Sequence, residues 1–87
     1  MQYKPGMMAR SLAGHDQNQV YVILKEEGTY VYLADGKIRT VDRPKKKKKK
    51  HVQLISTIPM ELAYKFESGE AIRNEEIKRV IGGIAHV

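Results

Sequence analysis

Six consecutive lysines, Lys45–Lys50, constrain the fold of this 87-residue chain more than any other feature. In a strand, successive side chains face opposite sides of the sheet, so three of the six would point inward from a central strand. Burying three unpartnered ammonium groups costs more than a small domain has to spare. The run is therefore expected outside any central strand, self-repelling, extended and solvated. It follows Pro44 directly and precedes another structured stretch, so both ends are held and the charges form a ridge. The rest of the chain is nearly neutral: residues 1–44 carry six cations against five acids, and residues 51–87 four against five. The net charge of +6 thus comes from one hexapeptide. Lysine is a flexible point charge suited to phosphate, which makes the ridge a site for a polyanion.

Around the lysines, period-two patterning with β-branched and aromatic residues predicts five short strands. These are Met7–Ala13, Val20–Lys25, Tyr30–Ala34, Lys37–Val41 and His51–Ile55. Asp35-Gly36 between two alternating runs is a strong signal for a two-residue hairpin, and Glu26-Glu27-Gly28 offers a second turn. Five strands in about fifty residues bury one face only by curling, so a mainly β fold is expected, a small five-stranded antiparallel barrel over residues 1–58. The pattern changes at Pro59, and residues 59–87 read as two short C-terminal helices packing on the barrel. Pro59 and Glu61 suit a first turn, Met60, Ala63 and Tyr64 share a face, and Ser68-Gly69 stops the first helix. Asn74 reads as the cap of the second helix, whose stripe is Ile77, Val80, Ile81 and Ile84, with Gly82-Gly83 fraying or ending it.

Several classes of function are excluded. There is no cysteine, hence no disulfide scaffold, thiolate metal site or thiol nucleophile. The longest apolar runs, Val20–Leu24 and Tyr30–Ala34, have five residues, where a bilayer needs about twenty. Met1–Gly6 has no apolar segment behind Lys4, so a cytoplasmic protein is expected. Ser11, Ser56 and Ser68 stand in no nucleophile motif, no glycine-rich phosphate loop is present, and no small-molecule substrate, cofactor or enzyme activity is expected. His15, His51 and His86 are too scattered to predict a metal site.

The candidate RNA-binding residues are Lys45, Lys46, Lys47, Lys48, Lys49 and Lys50, extended by Arg39, Arg43 and His51, with Lys37 on the same hairpin. Asp16 reads as a turn-former bonding its own loop. Tyr21, Tyr30 and Tyr32 are the residues that could stack on unpaired bases. For Tyr30 and Tyr32 packing beneath the helices is expected instead, because Met60, Ile77 and Ile81 need a surface.

The order of elements resembles the KOW-domain RNA-binding proteins of bacteria that are related to the eukaryotic and archaeal large-subunit ribosomal protein family fourteen. The resemblance rests on Ala13-Gly14-His15-Asp16, on Tyr30-Val31-Tyr32-Leu33-Ala34-Asp35-Gly36 and on Pro44, the lysines and His51, and it spans roughly residues 6–54. It implies an SH3-like barrel that binds ribosomal or other structured RNA, with ribosomal proteins as neighbours. Where that family has Arg-Asp-Lys-Gly in the first loop, this chain has His15-Asp16-Gln17-Asn18. The loop is thus expected to keep its shape, with Asn18 left-handed, and to lose charge, leaving His15, Gln17 and Asn18 as secondary contacts. The alternative from another class is an adaptor of the transcription or translation machinery whose barrel edge or helical tail binds a protein.

Overall fold

Alternating apolar residues form four of the strands, and lysines form the other. The computed structural model describes residues 2–55 and 58–85, with side chains followed to residue 83. The expectations resting on Ser56, His86 and the side chain of Ile84 lie outside the described residues. The strands are β1 (Met8–Ser11), β2 (Val20–Glu27), β3 (Tyr30–Ala34), β4 (Lys45–Lys48) and β5 (Val52–Leu54), followed by helices α1 (Met60–Ser68) and α2 (Asn74–Ala85). They make one antiparallel sheet in the order β4-β3-β2-β1-β5. The two outer strands, β4 and β5, are consecutive in the chain and joined by a single 3₁₀ turn, Lys49–His51. No described helix is long and apolar enough to cross a membrane.

The expected strand over 37–41 does not form. Asp35 explains why: its Oδ1 accepts the backbone N–H groups of Lys37 and Arg39, both at 2.9 Å, and so closes a loop instead of a two-residue hairpin. Ile38 gains nothing by extending, and it is 85% exposed. The strand that pairs with β3 is instead the lysine run, with Leu33 opposite Lys45, Tyr32 opposite Lys46, Val31 opposite Lys47 and Tyr30 opposite Lys48. The run is thus half solvated and half engaged, not solvated throughout. It occupies an edge, the one place in a sheet where lysine is favoured, since its charge discourages pairing with another chain.

Each face of the sheet carries an apolar cluster. On the inner face Ala9, Tyr21, Ile23, Val31, Leu33 and Val52 pack together. On the outer face Met8, Val22 and Ala34 meet Leu62, Ile77 and Val80 of the helices. A bulge at Leu24 shifts the β2–β3 register between Ile23 and Lys25. Through it Leu24 keeps the outer apolar cluster while Lys25 comes opposite Tyr32 on that same face, as bulges commonly re-aim a side chain.

The helices differ from expectation in three details. Leu62, fully buried, and Phe66 face the sheet, whereas Met60 is 88% exposed and Tyr64 65%. Met60 and Tyr64 have the same i, i+4 spacing as Leu62 and Phe66, so spacing alone does not choose the face. Gly69 closes α1 in the left-handed conformation (φ 76°), as expected. In α2 the cap position is taken by Arg73, whose carbonyl accepts the N–H groups of Glu76 and Ile77 while its own N–H donates to Glu76 Oε1. The Asn74 side chain turns away and accepts the Val41 N–H at 2.9 Å. Finally, α2 runs through Gly82-Gly83 to Ala85, its anchorage by Ile77, Val80 and Ile81 outweighing the low helix propensity of glycine.

The start of α2 rests on Gly36 (φ 80°), where an added Cβ would lie 2.5 Å from the Asn74 carbonyl oxygen. Gly36→Ala is expected to cost about 2–4 kcal/mol, from left-handed strain and from pushing α2 off the loop. Urea unfolding checks this, and a loss under about 1 kcal/mol would contradict the close approach.

Candidate nucleic-acid interface

Pairing with β3 sorts the lysines by parity. Lys45 and Lys47 point to the inner side, shared with Leu33 and Val31, and meet the Asp16 carboxylate at its rim, each at 3.0 Å. Lys47 also donates to the Ala13 carbonyl at 2.9 Å. Asp16 sits in the β1–β2 loop and further accepts the Ser11 and Tyr21 hydroxyls, both at 2.8 Å. The loop that carries it is closed by Asn18 N–H to Ser11 O and Ser11 N–H to Gln19 O, with Asn18 left-handed at φ 75°. Burial opposes ionisation of Asp16, but hydrogen bonds from Lys47, Lys45, Tyr21 and Ser11 outweigh it and hold the carboxyl well below its ordinary 3.8. Burial, then the bond to Asp16, pushes the Tyr21 hydroxyl well above its ordinary range. Lys45 and Lys47 thus share one carboxylate, which balances one of their two charges, and Asp16 is the acceptor that makes their inward position tolerable.

The remaining lysines divide again. Lys49, in the 3₁₀ turn, pairs with Glu26 and places its ammonium 5.2 Å from the Tyr3 ring centre. Lys46, Lys48 and Lys50 are exposed and make no ion pair among the described residues. Lys48 and Lys50, with Lys49, Gly28 and Thr29, line a hollow of about 440 Å³ beside the β2–β3 turn. Lys46 lies over Tyr30 at 4.5 Å and within 5.9 Å of Tyr32, whose ring also carries Lys25 at 5.5 Å. The Tyr32 hydroxyl donates to Glu27 Oε1 at 3.0 Å, and this bond, then Lys25, lowers the Glu27 carboxyl below its ordinary value.

The tyrosines therefore do not pack beneath the helices. They share the outer face with Ala34 but lie further along β3, where lysines and not α1 or α2 cover them. Tyr21 is excluded from stacking on a ligand, being buried in the inner cluster.

The other candidates are dispersed. His15, Arg39 and Lys45 come together with Gln19 around Asp16, Tyr21, Asp35 and Ile38 in a cleft of about 280 Å³, where acids offset the bases. Lys37 and Arg43 are exposed on the loop closed by Asp35, away from any strand. Gln17 and Asn18 are exposed in the Asp16 loop. His51 is half-buried, its carbonyl accepting the Leu12 N–H at 2.9 Å. Among the described residues no three His, Asp or Glu side chains gather as a metal site requires.

Asp16 as an ion-pair partner is the main feature that reading the sequence missed. The available signal was that Asp16 is the one acid among the first 25 residues of a chain that must place a lysine run nearby. No family model matches the chain, and no curated protein matches it.

Asp16→Asn is expected to cost about 2–3 kcal/mol at pH 7, because Lys45, Lys47 and two hydroxyls lose a charged acceptor. The folded carboxyl lies below its unfolded value of 3.8, so its contribution is complete well above pH 4 and declines as pH falls further. Urea unfolding of both proteins should show the gap narrowing between pH 7 and pH 2.5. A gap independent of pH would contradict the charged network.

Proposed function

We propose that this is a non-catalytic RNA-binding protein that contacts phosphates through the exposed lysines of its edge strand and of the 3₁₀ turn that follows it. The observation that carries the reading is the presentation of Lys46, Lys48 and Lys50. They make no ion pair among the described residues, on a backbone held by the β3 ladder and by the Lys49 N–H bond to the Thr29 carbonyl. Such charges act without the entropy loss of ordering a loose tail. Lysines contribute position and affinity, with specificity left to RNA shape. The resemblance of residues 6–54 to the KOW-domain proteins points to ribosomal RNA as the ligand, to an SH3-like barrel as the scaffold and to the cytoplasm as the compartment. In this reading Lys37, Arg39 and Arg43 form a secondary basic loop, and Lys45, Lys47 and Lys49 serve mainly to hold the strand.

The division of labour among the lysines is testable. The triple variant Lys46→Gln, Lys48→Gln, Lys50→Gln should leave the thermal midpoint within a few degrees. It should flatten the slope of log affinity for ribosomal RNA against log salt by about 2–3, since each phosphate contact contributes about 0.7–0.9. Lys47→Gln should do the reverse, lowering the midpoint while leaving the slope unchanged. A salt-indifferent affinity in the unaltered protein would overturn RNA binding. In gradients of host lysate the protein should run with the large ribosomal subunit and leave it in high salt, and residence at the top of a low-salt gradient would overturn the ribosomal assignment.

A further inference from the structure

Tyr30 and Tyr32 are separated by one residue on β3 and so project from the same face, roughly 6.6–6.8 Å apart along the strand. Around them stand Lys25, brought there by the bulge, and Lys46, brought there by the register of β4. Lys48 lies opposite Tyr30 and is exposed. Among the described residues the acid on this face of the strands is Glu27, which is occupied by the Tyr32 hydroxyl at 3.0 Å and by Lys25 at 3.4 Å. Aromatic rings flanked by ammonium groups on a rigid strand suit a chain that offers bases and phosphates together. A duplex hides its base faces in the stack and leaves no ring for a tyrosine to stack on, offering phosphates, 2′-hydroxyls and base edges instead.

We propose that this face binds single-stranded RNA, with unpaired bases stacking on Tyr30 and Tyr32 and the adjoining phosphates on Lys25, Lys46 and Lys48. The proposal rests on the RNA-binding reading above and narrows it to unpaired segments. Lys46 now covers the Tyr30 ring at 4.5 Å, and on binding it moves from ring to phosphate. That exchange is favourable because an exposed cation–π contact is weaker than base stacking, while an ammonium gains from a phosphate. The face therefore rests in a self-covered state that keeps its two rings from exposing apolar surface.

The test compares a single-stranded RNA octanucleotide with an RNA duplex of equal phosphate number, using fluorescence anisotropy at fixed salt. The single strand should bind at least tenfold tighter. Tyr30→Leu and Tyr32→Leu should each weaken it about tenfold with an unchanged salt slope, whereas Tyr30→Phe and Tyr32→Phe retain it. As a check independent of folding in the variants, ring-proton resonances of Tyr30 and Tyr32 in the unaltered protein should shift upfield on adding the single strand. Equal binding of both RNAs, with unshifted rings, overturns the proposal and leaves the phosphate-binding reading standing. Binding of neither RNA overturns both.

Discussion

A single carboxylate decides whether the lysine strand can exist. Asp16 accepts Lys45 and Lys47 on one side and the Ser11 and Tyr21 hydroxyls on the other, so it joins the β1–β2 loop, the inner core and the sheet edge. Without an acceptor there, alternation would set two ammonium groups beside Val31 and Leu33 with no charged partner, and β4 would be held less firmly. With it, inward lysines become structural groups, and their outward neighbours are held at fixed spacing on the opposite face.

That division converts a charge run, ordinarily a disordered and interchangeable feature, into six positions with different work. Lys45 and Lys47 stabilise, Lys49 ties the 3₁₀ turn to Glu26, Lys46 rests on tyrosine, and Lys48 and Lys50 face water. Net charge alone would credit every lysine equally to a polyanion. The geometry leaves three exposed and without an ion pair among the described residues, and brings Lys25 to the same face from a different strand through a bulge.

How much of this the sequence disclosed depended on the range of the interactions involved. β1 to β3 follow from local alternation, and α1 and α2 from proline, glycine and apolar stripes, so these were legible. The partner of Lys47 lies 31 residues away in a polar loop, beyond any periodicity signal. Asp35-Gly36 misled because the same aspartate that favours a tight turn also captures two backbone N–H groups at 2.9 Å, and that wider closure prevailed. Asn74 was placed correctly at a helix start but bonds Val41 instead of its own helix, since Arg73 takes the cap position and Asn74 becomes the first helical residue. Alternation sets Val31 and Leu33 on the face opposite Tyr30 and Tyr32, and the structure buries the first pair. What covers them depends on register and on a bulge, neither of which periodicity encodes.

A strand made of one residue type carries no record of its own alignment. In an ordinary strand a one-residue slip exchanges core and solvent faces and is forbidden by burial. Here a slip of one or two residues that draws Lys49 and Lys50 into the strand presents lysine where lysine was. Alignment must therefore be imposed from the two ends: by the loop that enters at Pro44, and by the turn that delivers Val52 to its place opposite Ser11. The side chains decide what the edge does, and the flanking chain decides where each one stands.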